Sequence, residues 1–340
     1  MKVLITGVTG QDGSLMADYL LKNTGAEVVG GVRRLSVPNH ANIEHLKGNS
    51  RFRLVSLDVT DPESISGIVK TEQPDYYINF AANSFVGTSW DMPVNHFQTN
   101  TLGVLYSLEA IRKHSPRTRF YSAGSSEQFG DVDYSPQDLN HPFKPRSPYG
   151  ASKCAAHHLV KVYRESYNLY AVQGILFNHE GVRRGEEFVT RKITKKVAEI
   201  KSAMETGQIF EPLTLGNLDS KRDWSDAEDF IIGIWRMLNQ DRPKDYVLAS
   251  NECHTIREFV ELSFATLGIR GVWSGSGFNE VYLSSDNVVL VRVNEQFFRP
   301  AEVDLLMGDN SAAIRELSWE PKISFRDLVE KMTFSDYNRT

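Results

Sequence analysis

The chain has 340 residues, 41% hydrophobic and 24% charged, which is the balance of an ordinary globular protein with enough chain for a sizeable core. A formal net charge of −5 excludes a general nucleic-acid binder, so an anionic ligand must be met by locally clustered Arg and Lys. Two cysteines, Cys154 and Cys253, exclude a disulfide scaffold and read as reduced thiols. No apolar run reaches the roughly 20 residues that span a bilayer. Met1–Gly7 runs directly into a strand-like segment rather than a cationic leader, so a cytoplasmic location is expected.

Lys2–Thr6 is a short apolar, β-branched run and predicts a buried strand. Helical spacing follows over Ser14–Lys22. Further strands are predicted at Glu27–Val32, Arg53–Leu57, Tyr76–Ala81, Arg119–Ala123 and Tyr170–Leu176. Between them lie helical patterns at Pro62–Lys70, Val94–His114 and Tyr149–Asn168. This alternation predicts an α/β fold: a doubly wound parallel-sheet Rossmann domain. Beyond it, Val189–Met204 is a basic helix, Ala227–Asn239 an apolar one, and Thr255–Glu258 a capping box opening a helix through Leu267. Ser324–Met332 predicts a last helix. The expected organisation is interleaved. Residues 1–176 with about 226–250 form the dinucleotide domain, and 177–225 with about 251–340 a smaller mixed α/β substrate domain.

Gly7, Gly10 and Gly13 fall between the first strand and the first helix, in Gly7-Val-Thr-Gly-Gln-Asp-Gly13. Glycine allows the tight turn and lets a pyrophosphate approach the backbone, while the helix N-terminus offers free N–H groups. Thr9, Gln11 and Asp12 belong to the same loop. A strand of this kind usually ends in an acid that binds the adenosine ribose; here Arg33-Arg34 follows Val32, which suits a 2′-phosphate and favours NADP over NAD. Asp58 and Val59 end the third strand beside the adenine. Ala81, Ala82 and Ser84 follow the fourth and border the dinucleotide.

Tyr149 and Lys153 are four residues apart and share a helix face. A nearby ammonium, a positive nicotinamide ring and the helix N-terminus each favour phenolate over the ordinary phenol. Such a phenolate removes a hydroxyl proton while hydride leaves the same carbon. The fifth strand ends in Ala123-Gly-Ser-Ser-Glu127. Ser125 supplies the assisting hydroxyl. Glu127 adds a carboxylate that can take the acidic proton next to a new ketone and protonate a departing hydroxyl. His157-His158 are adjacent and do not share a helix face, so no metal site is expected. Trp224, Trp235 and Trp319 read as core residues.

Several stretches carry a more specific resemblance: the glycine loop, Pro145-Arg-Ser-Pro-Tyr149, Tyr163-Arg-Glu-Ser-Tyr167, Gly174-Ile-Leu-Phe-Asn-His-Glu180, Phe188–Ile193, Leu215–Ser220 with Arg222-Asp-Trp224, and Phe298–Val303. They run over nearly the whole chain, which resembles the GDP-mannose 4,6-dehydratases of the extended short-chain dehydrogenase/reductase type. The resemblance implies a lyase in which NADP takes hydride from C4 of a GDP-linked sugar, water leaves across C5 and C6, and the hydride returns to C6. It implies Ser125, Glu127, Tyr149 and Lys153 as the catalytic set, with His179 and Arg184 on the cofactor. It also implies Ser84, Asn178, Val189, Lys192, Gly216, Arg222, Arg299 and Glu302 around the GDP-sugar, and a homodimer or homotetramer. Four positions depart from the family pattern: Ser125 stands for a threonine, Gly124 for a serine and Gln128-Phe129 for a Leu-Tyr pair. A GDP-manno-heptose as the sugar, a 4-epimerase or 4-ketoreductase, and a non-catalytic NADP sensor stay open beside the dehydratase.

Overall fold

A computed structural model describes residues 1–298 and 305–340. Strands β1 (Lys2–Thr6), β2 (Glu27–Val32), β3 (Phe52–Ser56), β4 (Tyr76–Asn79), β5 (Arg119–Ala123) and β6 (Ala171–Leu176) form one parallel sheet with a seventh strand, Tyr246–Leu248. Its spatial order is β3-β2-β1-β4-β5-β6, followed by Tyr246–Leu248. The order reverses between β1 and β4. At that point the crossovers leave on opposite faces and open a crevice past the carboxyl ends of the strands. The Rossmann expectation therefore holds. The seventh strand was not predicted, because three residues are too short to show a period.

Helices cover both faces. On one side α1 (Gln11–Asn23) packs with the later helix Ala227–Leu238, burying Val3, Ile5, Met16, Leu20, Phe230 and Ile234. On the other, α2 (Pro62–Glu72) packs with the region around Val104–Ile111, burying Leu4, Val29, Ile65, Tyr77 and Phe120. Alternate residues of β1 thus face opposite cores, as a sheet buried on both faces requires. The predicted helix Val94–His114 is three pieces: α3 (Pro93–Phe97), a π segment (Gln98–Leu102) and α4 (Gly103–His114). The π segment re-phases the helix, so Phe97 and Leu102 stay 39% and 36% exposed while Asn100 and Thr101 turn inward. There Asn100 donates to Ser152 Oγ (3.1 Å) and Thr101 to Ser152 O (2.8 Å) on α5 (Pro148–Tyr167).

A separate core gathers α6 (Val189–Thr206), Leu213–Leu215, the helix Ile256–Thr266, the meander Gly271–Ser274, Val281–Ser284 and Val289–Val293, and the final helix Phe325–Tyr337. The meander was not predicted from sequence. Ala313, Leu317 and Trp319, placed with this half by the sequence reading, pack instead in the sheet core with Phe230. No helix among the described residues is long and apolar enough to cross a membrane.

Candidate active site

A cavity of about 1130 Å³ occupies the crevice at the strand-order reversal and extends to α6. Every residue predicted for the cofactor lines it: Gly7, Thr9, Gly10, Gln11, Asp12, Gly13, Arg33, Arg34, Asp58, Val59, Ala81, Ala82, Ser84, Tyr149, Lys153, His179 and Arg184. So do Ser125 and Glu127, and Asn178, Val189, Lys192, Gly216 and Arg222 from the substrate set. Arg299 and Glu302 lie outside the described residues.

The glycine loop is shaped for close approach. Gly7 has φ +71°, and a Cβ there would stand 2.8 Å from Ala81 N. A Cβ on Gly13 would stand 2.3 Å from Gly7 O. Gly10 N–H donates to Gly7 O (3.0 Å), and α1 then opens without a side-chain cap. Its first N–H groups are thus available to an anion, which fits a pyrophosphate. Arg33 and Arg34 are exposed at the end of β2, and among the described residues neither has a hydrogen-bond or ion-pair partner. Asp58 folds back to accept from Thr60 N–H (2.9 Å) and Thr60 Oγ1 (2.7 Å).

Asp12 and His179, each predicted to meet the cofactor, also meet each other. Their Oδ2 and Nε2 atoms are 2.9 Å apart, and His179 Nδ1 bonds Phe177 O (2.8 Å). Burial pushes the Asp12 carboxyl up, but His179, Gln11 and Arg184 together hold it below its ordinary range. Burial pulls His179 down, yet the Asp12 carboxylate raises it overall. The pair fastens the first turn of α1 to the strand Asn178–Glu180.

α5 begins at Pro148, with Ser147 Oγ accepting from Gly150 N–H (3.0 Å), so its first turn is pinned beside β5. Tyr149 and Lys153 follow on its cavity face. Lys153 Nζ donates to Ala123 O (2.8 Å) and lies 5.8 Å from the Tyr149 ring centroid. Burial lowers Lys153 to about 8. Burial also raises the Tyr149 phenol to about 12, and the Ser125 hydroxyl acts against that rise. The expected drift toward phenolate is therefore reversed in the protein alone. Desolvation, invisible in the spacing of the two residues, outweighs the neighbouring charge.

Glu127 is half-buried on the 3₁₀ turn Ser126–Gln128 that ends β5. α5 is packed hard against this turn: a Cβ on Gly150 would stand 2.5 Å from Glu127 O. Ser125, Glu127, Tyr149 and Lys153 therefore open onto one cavity from two elements in direct contact.

On the far wall, Asn178 begins a strand paired in parallel with Trp224–Asp226. Val189 and Lys192 form the first turn of α6, whose N-cap, Phe188, offers no side-chain cap. Burial lowers Lys192, and its ammonium lies 3.7 Å from the Phe297 ring centroid. Arg222 is buried and donates to Lys221 O (2.9 Å). Gly216 lets the Phe297 segment of the same chain approach, since a Cβ there would meet Phe297 O at 2.6 Å. Two uncapped helix N-termini and several cations thus face one cavity in an acidic protein, an arrangement for polyanionic ligands.

A family model described as GDP-mannose 4,6 dehydratase matches residues 4–332. The chain belongs to the GDP-mannose 4,6-dehydratase family. It is similar to GDP-mannose 4,6 dehydratase of Drosophila melanogaster (45% identical, covering 98% of this chain and 85% of the relative). It is similar also to the Homo sapiens protein of that name (43%, covering 98% and 90%). Its fold matches dTDP-glucose 4,6-dehydratase from Bacillus anthracis in complex with NAD, with TM-score 0.81, 20% identity and coverage of 100% and 97%. It matches likewise RMD from Pseudomonas aeruginosa complexed with NADPH, with TM-score 0.79, 22% identity and coverage of 100% of both chains.

Phe188 and Phe298 stand in stretches that carried the resemblance, but sequence reasoning gave them and Phe297 no place of their own in the cavity of this GDP-mannose 4,6-dehydratase family member. Phe188 packs edge-on to Phe85 (5.7 Å), and the Arg184 guanidinium lies 3.6 Å from the Phe188 ring centroid. Phe297 and Phe298 close the side beyond Lys192. Isolated aromatics in loops carry no periodic signal. Trp224 is 2% exposed within the second core, as read, yet its edge also reaches the cavity.

Proposed function

We propose that the chain is an NADP-dependent GDP-mannose 4,6-dehydratase, a hydro-lyase yielding GDP-4-keto-6-deoxymannose. Residues 1–176 with about 226–250 hold the dinucleotide, and 177–225 with about 251–340 hold the GDP-sugar. The observation that carries the reading is Glu127 in the cavity that also receives Ser125, Tyr149 and Lys153. A 4-epimerase or 4-ketoreductase needs only the last three.

The exposed, unpaired Arg33 and Arg34 support a 2′-phosphate and hence NADP. When bound, the nicotinamide supplies a hydride acceptor for C4, a donor for C6, and positive charge beside Tyr149. Tyr149 takes the C4 hydroxyl proton as the C4–H bond breaks. Lys153, fixed by Ala123 O, and the Ser125 hydroxyl stabilise the phenolate form that accepts this proton. Glu127 removes the C5 proton, now acidic beside the C4 ketone, and delivers a proton to the C6 hydroxyl, which leaves as water; C5 regains a proton from solvent as C6 is reduced, balanced by the C4 hydroxyl proton that Tyr149 releases. The uncapped N-terminus of α6, with Lys192 and Arg222, accepts the diphosphate of the GDP. The assembly is a homodimer or homotetramer, a reading supported by Val94, Phe97 and Leu102, exposed along one stretch.

Substrate deuterated at C4 tests the scheme. Label is expected at C6 of the product; label in solvent or in free NADPH defeats it. Glu127→Gln is expected to lose elimination by about 10²-fold or more, while C4 oxidation persists as reduced cofactor on the protein. An unchanged rate of dehydration in that variant removes Glu127 from the mechanism.

A further inference from the structure

Gln128 shares the turn with Glu127 but is fully buried and does not line the cavity. Its Oε1 accepts the Ser125 N–H at 2.9 Å. Ser125 Oγ accepts the Glu127 N–H at 3.3 Å, and Gln128 N–H donates to Ser125 O at 3.0 Å. These bonds close a reciprocal cap around the turn. Ser125 opens onto the same cavity as Tyr149, and its hydroxyl, which keeps its donor while Oγ accepts from Glu127, acts against the burial that raises the phenol.

The carboxamide is held by packing and by that one bond, since its Nε2 is buried without a hydrogen-bond partner. A Cβ on residue 124 would stand 2.8 Å from Gln128 Oε1 and 2.7 Å from Gly174 O, so the bond to Ser125 depends on glycine at that position. From α5, Cys154 Sγ donates to the backbone carbonyl of Gln128 at 3.6 Å, which holds the turn rather than the carboxamide. Serine lacks the second heavy substituent on Cβ that stiffens χ1 in threonine, so its hydroxyl needs an external hold. We propose, resting on the dehydratase reading, that Gln128 is a positioning residue which, with Gly124, holds Ser125 and Glu127 in working geometry.

Gln128→Met keeps length and apolar bulk but removes the acceptor; Gln128→Glu, held as the neutral acid by burial, restores one. In the holoenzyme at pH 7, Gln128→Met is expected to lower kcat about tenfold or more with KM within about twofold. The acid limb of its kcat profile should move alkaline, because a loosened Ser125 hydroxyl no longer favours phenolate. Gln128→Glu should recover kcat to within about threefold and return the limb to its place. Exchange of the Ser125 amide hydrogen should accelerate in Gln128→Met and recover in Gln128→Glu. The proposal is overturned if Gln128→Met leaves kcat and the acid limb unchanged, or if Gln128→Glu loses as much as Gln128→Met. Should Gln128→Met not fold, Gln128→Leu carries the same comparison. If the unaltered holoenzyme turns over no GDP-mannose, the dehydratase reading fails. The exchange rate of the Ser125 amide then still decides, alone, whether Gln128 holds the turn.

Discussion

Lys153 is 5% exposed, and burial brings it from 10.5 to about 8. The charge that supports a Tyr149 phenolate is therefore lost as pH rises through about 8, and kcat/KM should fall with that midpoint. Lys153→Arg, always charged, should remove the decline at some cost in rate. A buried ammonium also opposes folding at neutral pH. Its folded value lies below its unfolded one, so the penalty is largest below about 8 and fades as pH rises toward 10.5. Lys153→Met is accordingly expected to gain roughly 1–3 kcal/mol of stability at pH 7 while abolishing activity, a trade measurable by denaturant melts. Tyr149→Phe should cost about 10²–10⁴ in kcat with little change in KM, the worth of one positioned proton acceptor.

Elements act here through their ends. The turn between β1 and α1 works because no Cβ intervenes at Gly13, 2.3 Å from Gly7 O. Gly13→Ala should destabilise by about 1–3 kcal/mol and abolish measurable NADP binding, since the helix must shift away from the loop. The Asp12–His179 bond then ties that turn to the neighbouring strand. His179 is raised above 6.5, so its share is full below 6.5 and lost as pH rises through its folded value. Asp12 is lowered below 3.8, so its share is present above 3.8 and lost as pH falls through its folded value. Tm should therefore decline as pH rises above 6.5 through the folded value, and His179→Gln should flatten that decline in a melt series.

At the scale of the whole molecule, the cavity is walled by the sheet on one side and by α6 with Leu215–Asn217 on the other. A dinucleotide held there adds its binding free energy to folding, about 2.7 kcal/mol at a hundredfold excess over Kd. Tm should rise more with NADP than with NAD at equal concentration. Arg33→Ala with Arg34→Ala should erase the difference, lowering NADP affinity about tenfold or more and leaving NAD nearly unchanged. Equal shifts by both cofactors in the unaltered chain would refute the 2′-phosphate assignment.

What the sequence determined by itself was whatever short-range pattern encodes. Apolar β-branched runs between helical periods specify β1 to β6, and glycines at fixed offsets specify the loop between β1 and α1. The four-residue step from Tyr149 to Lys153 specifies a shared helix face. The three-residue strand Tyr246–Leu248 and the π segment Gln98–Leu102 escaped it, because pairing with β6 and packing against Ser152 on α5 decide them. Only the tertiary structure brought Asn178, Lys192 and Arg222 to the wall facing the Ser125–Glu127 turn, and only it revealed Gln128 beneath that turn. It also decided the protonation of the site. Desolvation depends on every atom packed around a group, so the high Tyr149 and low Lys153 values belong to the fold and not to any motif.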